Sequence, residues 1–231
     1  MFADFLKFWK KDSLLKEATE EVILMLEKAK HMFDFSMRVM LEEEREREDI
    51  YKLDCELNLF QMDVRRKILE HLAINPYQDI TSSLILSIIV YDIERIGDYS
   101  KNTIELAHLY PEHLKGSYFD RIREIEEKVK ELFEKTIACF KDADSDLGRM
   151  IMEEHSKLAP QCEKIVEDVI KDESLRARDG VVICLLARYL KRVSAHLKNV
   201  ASSVVNPFHR LTYRPECRTT EGSDEDKSEM D

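Results

Sequence analysis

A shift of 97 residues lays one apolar, helix-length stretch of this chain onto another. Arg95, Lys101 and Asn102 fall on Arg192, Lys198 and Asn199, while Ile85, Ile88, Ile89, Ile93 and Ile96 fall on Val182, Leu185, Leu186, Leu190 and Val193. Self-similarity at a fixed offset indicates a structural unit used twice. The breakers say what kind of unit. Glycine and proline total 10 of 231 residues, about a third of the usual ~12%, which leaves too few sharp turns for a β-rich fold. The glycines stand singly at Gly97, Gly116, Gly148, Gly180 and Gly222, so the clustered-glycine loops of dinucleotide-binding and Walker sites are excluded. A charged fraction of 36% suits long surface-exposed helices around a modest core.

The expected architecture is all-α, with six long helices in two repeated three-helix bundles. Asp12-Ser13 caps a helix running to about Glu48, with Leu15, Ala18, Val22, Leu26, Ala29 and Phe33 spaced by three and four. A second runs from near Asp49 to Leu72 and stops before Asn75-Pro76, because a residue before proline is pushed out of the helical region. A third starts after Asp79, with Thr81 or Ser82 as cap, and ends before Pro111. Beyond Gly116-Ser117 the plan recurs: about Phe119 to Phe140, Asp146 to Lys171, and Arg176 to Val205 ahead of Asn206-Pro207. The expected units are therefore residues 13–112 and 117–207.

Two ends flank them. Residues 1–12 place Phe2, Phe5, Leu6, Phe8 and the single tryptophan, Trp9, among lysines. Such a short amphipathic segment suits either docking on the bundle or contact with a membrane surface or partner. Residues 216–231 carry seven acidic and two basic groups and almost no large apolar side chain, the signature of a disordered acidic tail. That tail holds −5 of the net charge of −11, and a body at −6 argues against non-specific nucleic-acid binding. Five scattered cysteines without a CxxC pair (Cys55, Cys139, Cys162, Cys184, Cys217) read as reduced thiols. The longest uncharged stretch, Ile80 to Tyr91, is twelve residues, short of the ~20 of a membrane span. No secretory leader is expected, since Asp4, Lys7, Lys10 and Lys11 interrupt the first apolar stretch. The expected location is the cytoplasm.

Chemistry concentrates in Asp92-Ile-Glu-Arg-Ile-Gly-Asp98-Tyr-Ser-Lys-Asn102-Thr-Ile-Glu105. On a helix, Ile89, Ile93, Ile96, Ile104 and Ala107 share an apolar face, while Glu94, Asp98 and Glu105 project to the opposite side. Glu94 and Asp98 are i and i+4, so their charges repel mildly. A multivalent cation would turn that repulsion into a shared site of hard oxygen ligands, suited to Mg, Mn or Fe; a solvated acidic face is the alternative. In wording, Ile93-Glu-Arg-Ile-Gly-Asp98 followed by Asn102 resembles the E/D-x-x-x-D signature of the PhoU family of phosphate-uptake regulators, and the likeness covers about residues 13–207. That resemblance implies two related three-helix bundles and metal ligation by Glu94 and Asp98. It implies further acids from the second helix, for which Asp54, with Glu56 beside it, is the candidate.

The second repeat departs from the signature. Lys191 and Ala195 stand where Glu94 and Asp98 would recur, and neither can ligate a cation. Divalent or trivalent metal, iron included, is therefore expected in the first repeat only. The face that replaces the acids carries Arg188, Lys191, Arg192 and Lys198, suited to ion pairing with neighbouring helices, an acidic partner or an anion. Glu42 to Asp49 is expected to be a solvated helix end with mutually stabilising charges. His31, His71, His155 and His209 have no partner at ligand spacing.

The resemblance implies a non-enzymatic adaptor coupling a phosphate transporter component to a sensor histidine kinase, associated with the membrane through those partners; a second copy of the chain is a further candidate partner. Two other readings are a metal-free helical scaffold and a di-iron carboxylate enzyme. The latter needs two Glu-x-x-His motifs, and the chain contains one, Glu105 to His108.

Overall fold

The computed structural model describes residues 13–42, 44–112 and 114–211; the expectations for residues 1–12 and 216–231 lie outside the described residues. Six helices follow in order: α1 Ser13–Leu41, α2 Ile50–Ile74, α3 Ile80–Leu109, α4 Ser117–Asp142, α5 Ser145–Lys171 and α6 Ala177–Val205, with a single 3-10 turn at Phe208–Arg210. There is no strand among the described residues.

α1 buries the predicted stripe completely: Leu15, Ala18, Val22, Leu26, Ala29 and Phe33 are all at most 1% exposed. It ends at Leu41, earlier than its periodicity and charge pattern predict. There the Glu42 and Glu44 amides both close back on the Arg38 carbonyl, at 3.0 and 3.2 Å, and Asp49, with extended backbone, caps α2 separately by accepting from the Tyr51 and Lys52 amides. The acidic run is consequently a linker, pinned by its charges. Arg38 Nε donates to Glu44 Oε2 at 2.7 Å, and His108 Nε2 lies 2.6 Å from Glu46 Oε2. The start of α3 also differs from expectation. Neither Thr81 nor Ser82 caps it; the chain turns through Asp79 in the left-handed region (φ 53°) and both residues lie inside the helix. Gly116 (φ 104°) makes the corresponding turn before α4, where a side chain would be strained. Asp144 caps α5 through the Asp146 and Leu147 amides.

α1, α2 and α3 pack on one another, as do α4, α5 and α6, and the two groups meet along α3 against α6 and α1 against α4. Phe33 of α1 and Phe133 of α4 place their rings 5.3 Å apart at the second of these seams. Cys55, Cys139, Cys162 and Cys184 are free. Burial pushes the Cys139 and Cys162 thiols up to about 12, so both stay protonated and unreactive near neutrality. No described helix is long and apolar enough to cross a membrane.

Candidate functional site

The signature residues sit on the flank of α3 that leans on α2. The side chains of Glu94 and Asp98 are 16% and 25% exposed and that of Asp54, on α2, 15%, so these carboxylates are sheltered by a neighbouring helix rather than projected into solvent. Asp54 does converge on the motif. What joins them is Lys101, whose Nζ donates to Asp54 Oδ2 at 2.9 Å and to Asp98 Oδ1 at 3.1 Å. The other Asp98 oxygen accepts from Arg95 Nη1 at 2.9 Å. Arg95 is itself fixed, with Nε donating to the Tyr91 hydroxyl at 2.8 Å and its guanidinium carbon 4.7 Å from the centre of the Tyr91 ring.

The electrostatics follow this geometry. Burial first, then the nearby Asp98 charge, raises the Glu94 carboxyl above its ordinary value; Asp54 adds to the rise, and Arg95 and Lys101 oppose it. Burial by itself would lower the Lys101 ammonium, but its bonds to Asp54 and Asp98 outweigh this and leave it raised. The residues that neutralise the cluster were visible in the sequence only as repeated positions. Their i, i+3 spacing, Arg95 to Asp98 and Asp98 to Lys101, was the available signal.

A multivalent ion needs several oxygens turned towards one point. Here the facing oxygens of Asp54 and Asp98 are both occupied by the Lys101 ammonium. Among the described residues no three His, Cys, Asp or Glu side chains are grouped to hold a metal. The donor set in this arrangement does not fit the ion that the resemblance implies. Glu56 turns the other way, to Lys28 of α1. Glu105 and His108 also diverge, Glu105 accepting from the Tyr51 hydroxyl at 3.1 Å and His108 meeting Glu46, so the single Glu-x-x-His motif makes no common centre.

On the second unit, Lys191 pairs with Glu163 of α5, as an ion-pairing face would. Arg188 and Arg192 are exposed and Lys198 half-buried; no described carboxylate pairs with Arg188 or Arg192. An open depression of about 280 Å³ between α5 and α6 is lined by Cys162, Val166, Arg188 and Lys191 among others.

The PhoU domain matches the chain twice, over residues 22–107 and 122–204. A curated protein of Aquifex aeolicus, named a phosphate-specific transport system accessory protein PhoU homolog, is 24% identical over 184 residues, 77% of this chain and 83% of its own length. Its namesake from Synechocystis is 20% identical over 201 residues, covering 84% and 88%. Among solved structures, the crystal structure of PhoU from Pseudomonas aeruginosa superposes with a TM-score of 0.71 at 17% identity, covering 83% of this chain and 95% of that one. The phosphate transport system regulatory protein PhoU from Streptococcus pneumoniae gives the same TM-score at 12% identity, covering 82% and 92%.

Proposed function

This chain belongs to the PhoU family, and on that premise we propose that it is a non-enzymatic regulator of phosphate uptake that works by protein contact. The observation that carries the reading is the double PhoU match, one in each group of three helices, together with relatives named as accessory to the phosphate-specific transport system. The same match and the 97-residue offset support two superposable units over residues 13–112 and 117–207.

The partners in this reading are a phosphate transporter component and a sensor histidine kinase, met at their cytoplasmic faces, with a second copy of the chain as a further candidate. Two surface features support contact as the mode of action. Arg188 and Arg192 present guanidinium groups without an ion-pair partner among the described residues, a surface suited to carboxylates on a partner. Leu59, Met62 and Leu69 on α2 are 58–69% exposed, and apolar side chains left in water favour association. The non-enzymatic reading is supported by the state of the reactive groups: Asp54 and Asp98 are paired with Lys101 and Arg95, and the buried thiols stay protonated.

Phosphate uptake and a phosphate-starvation reporter, measured in cells lacking the gene and in cells with it restored, test the proposal. Altered uptake or reporter output, reversed on restoration, is expected; both readouts unchanged would overturn it.

A further inference from the structure

The family resemblance puts a multivalent metal at Glu94, Asp98 and Asp54, whereas the side chains around those carboxylates leave no room for its charge. We propose that Lys101 stands in for that ion: with Arg95 it is the permanent counter-charge of the acidic motif, and the first unit holds its shape without metal. The geometry is that of a bridging cation. One ammonium spans two helices, 2.9 Å from Asp54 Oδ2 on α2 and 3.1 Å from Asp98 Oδ1 on α3. It is sheltered, its side chain 21% exposed, so solvent and salt screen it less than a surface pair. Arg95 takes the remaining Asp98 oxygen at 2.9 Å. Three carboxylates thus face two fixed cations, leaving one net negative charge, borne at Glu94, which has Arg95 Nε 3.9 Å away.

A hard dication binds oxygens at ~2.0–2.6 Å and seeks six or more of them. To enter, it would have to take Asp54 and Asp98 from an ammonium that then repels it from hydrogen-bond range. The second unit has made the same exchange by another route. Lys191, at the position corresponding to Glu94, brings its own positive charge and pairs with Glu163, and Ala195 removes the second acid. Both motif positions in this chain are therefore served by side-chain cations. This role of Lys101 does not depend on the regulatory role proposed for the protein, so a failed metal-binding result and a failed phosphate-uptake result are distinguishable.

The test uses the full-length protein, stripped with chelator and then exposed to MgCl2, MnCl2 or, anaerobically, Fe(II). Wild-type protein is expected to retain no stoichiometric metal after desalting and to show no rise in Tm with any of the three. Lys101→Met should lower Tm and open the site: it should bind Mn(II) at least ~10-fold more tightly than wild type, regain stability when Mn(II) is added, and lose that response when Asp98→Asn is combined with it. Lys101→Arg keeps the charge and should behave as wild type. Stoichiometric metal on the wild-type protein, with a Tm rise that Asp98→Asn abolishes, would overturn the proposal. So would a folded Lys101→Met that ignores metal. If Lys101→Met does not fold, Lys101→Gln takes its place, and the wild-type metal content still decides.

Discussion

His196 on α6 donates from Nδ1 to Asp92 Oδ1 on α3 at 2.7 Å, and Asn199 Nδ2 donates to the same oxygen at 2.8 Å. Under the 97-residue shift Asp92 corresponds to Tyr189 and Tyr99 to His196, and the rings of Tyr99 and Tyr189 lie 5.8 Å apart. Each contact is the repeat image of the other with the helices exchanged. The two units therefore meet through an approximate two-fold relation whose halves have diverged, one polar and one aromatic. Asp92 is only 6% exposed. Asp92→Ala would leave two donors without their acceptor and should cost about 1–3 kcal/mol in urea unfolding, with Asp92→Asn milder. A cost no larger than that of an exposed substitution would show the contact to be dispensable.

Acidification should stabilise the protein through Glu126 on α4. Its burial raises the carboxyl to about 7, against the opposing pull of Lys130. Because the folded-state value lies above the 4.5 of the free group, the folded chain binds that proton more tightly. The contribution is complete below about pH 4.5 and is lost as pH rises through about 7, a change on the order of 1–3 kcal/mol. Glu126→Gln should flatten this part of the pH profile and raise Tm at pH 8. A variant less stable than wild type at pH 8 would mean that the Lys130 pair outweighs burial.

Close packing of α5 against α6 depends on Gly148. A methyl group there would stand 2.6 Å from Val205 Cγ2 and 3.3 Å from the Ala201 carbonyl oxygen, and the backbone atom cannot rotate away. Gly148→Ala should destabilise by about 1–3 kcal/mol despite the better helix propensity of alanine. At Gly97 the close atom is Leu57 Cδ2, at 2.5 Å, the end of a side chain that can turn, so Gly97→Ala should cost less. Thermal melts of the two variants check the order.

Charge reversal at Arg188 and Arg192 separates fold from contact. Both are exposed and lack a described ion-pair partner, so Arg188→Glu with Arg192→Glu should leave stability within about 0.5 kcal/mol. In cells, the same double variant should fail to restore normal phosphate uptake where wild type succeeds. Full restoration would remove these arginines from the contact surface.

Much of this molecule could be read along the chain. The alternation of Leu15, Ala18, Val22, Leu26, Ala29 and Phe33 fixes a buried face whatever packs on it, because the period belongs to the helix itself. Pro76, Pro111 and Pro207 stop helices through their own backbone limits, and the 97-residue shift agrees with the double PhoU-domain match. The wording of Ile93 to Asp98 carried the family. The end of α1 was harder: residues 42–48 have helical charge spacing, yet the Glu44 amide and carboxylate fold back on Arg38 and Asp49 caps α2 as a separate helix.

Tertiary structure alone decided what the acidic motif meets. Sequence spacing places Glu94 and Asp98 on one side of α3, but it says nothing about which helix covers that side or at what height. The register of α2 against α3 brings Asp54 to Lys101 across 47 positions of sequence, and the crossing of α3 over α6 brings His196 to Asp92 across 104. A helix's period is set by bonds four residues apart and survives in any context, whereas the partner of a charged side chain depends on how whole helices slide and rotate as their apolar faces interlock. Sequence by itself therefore determined the helices and the face that carries the carboxylates; packing determined that a lysine stands among them.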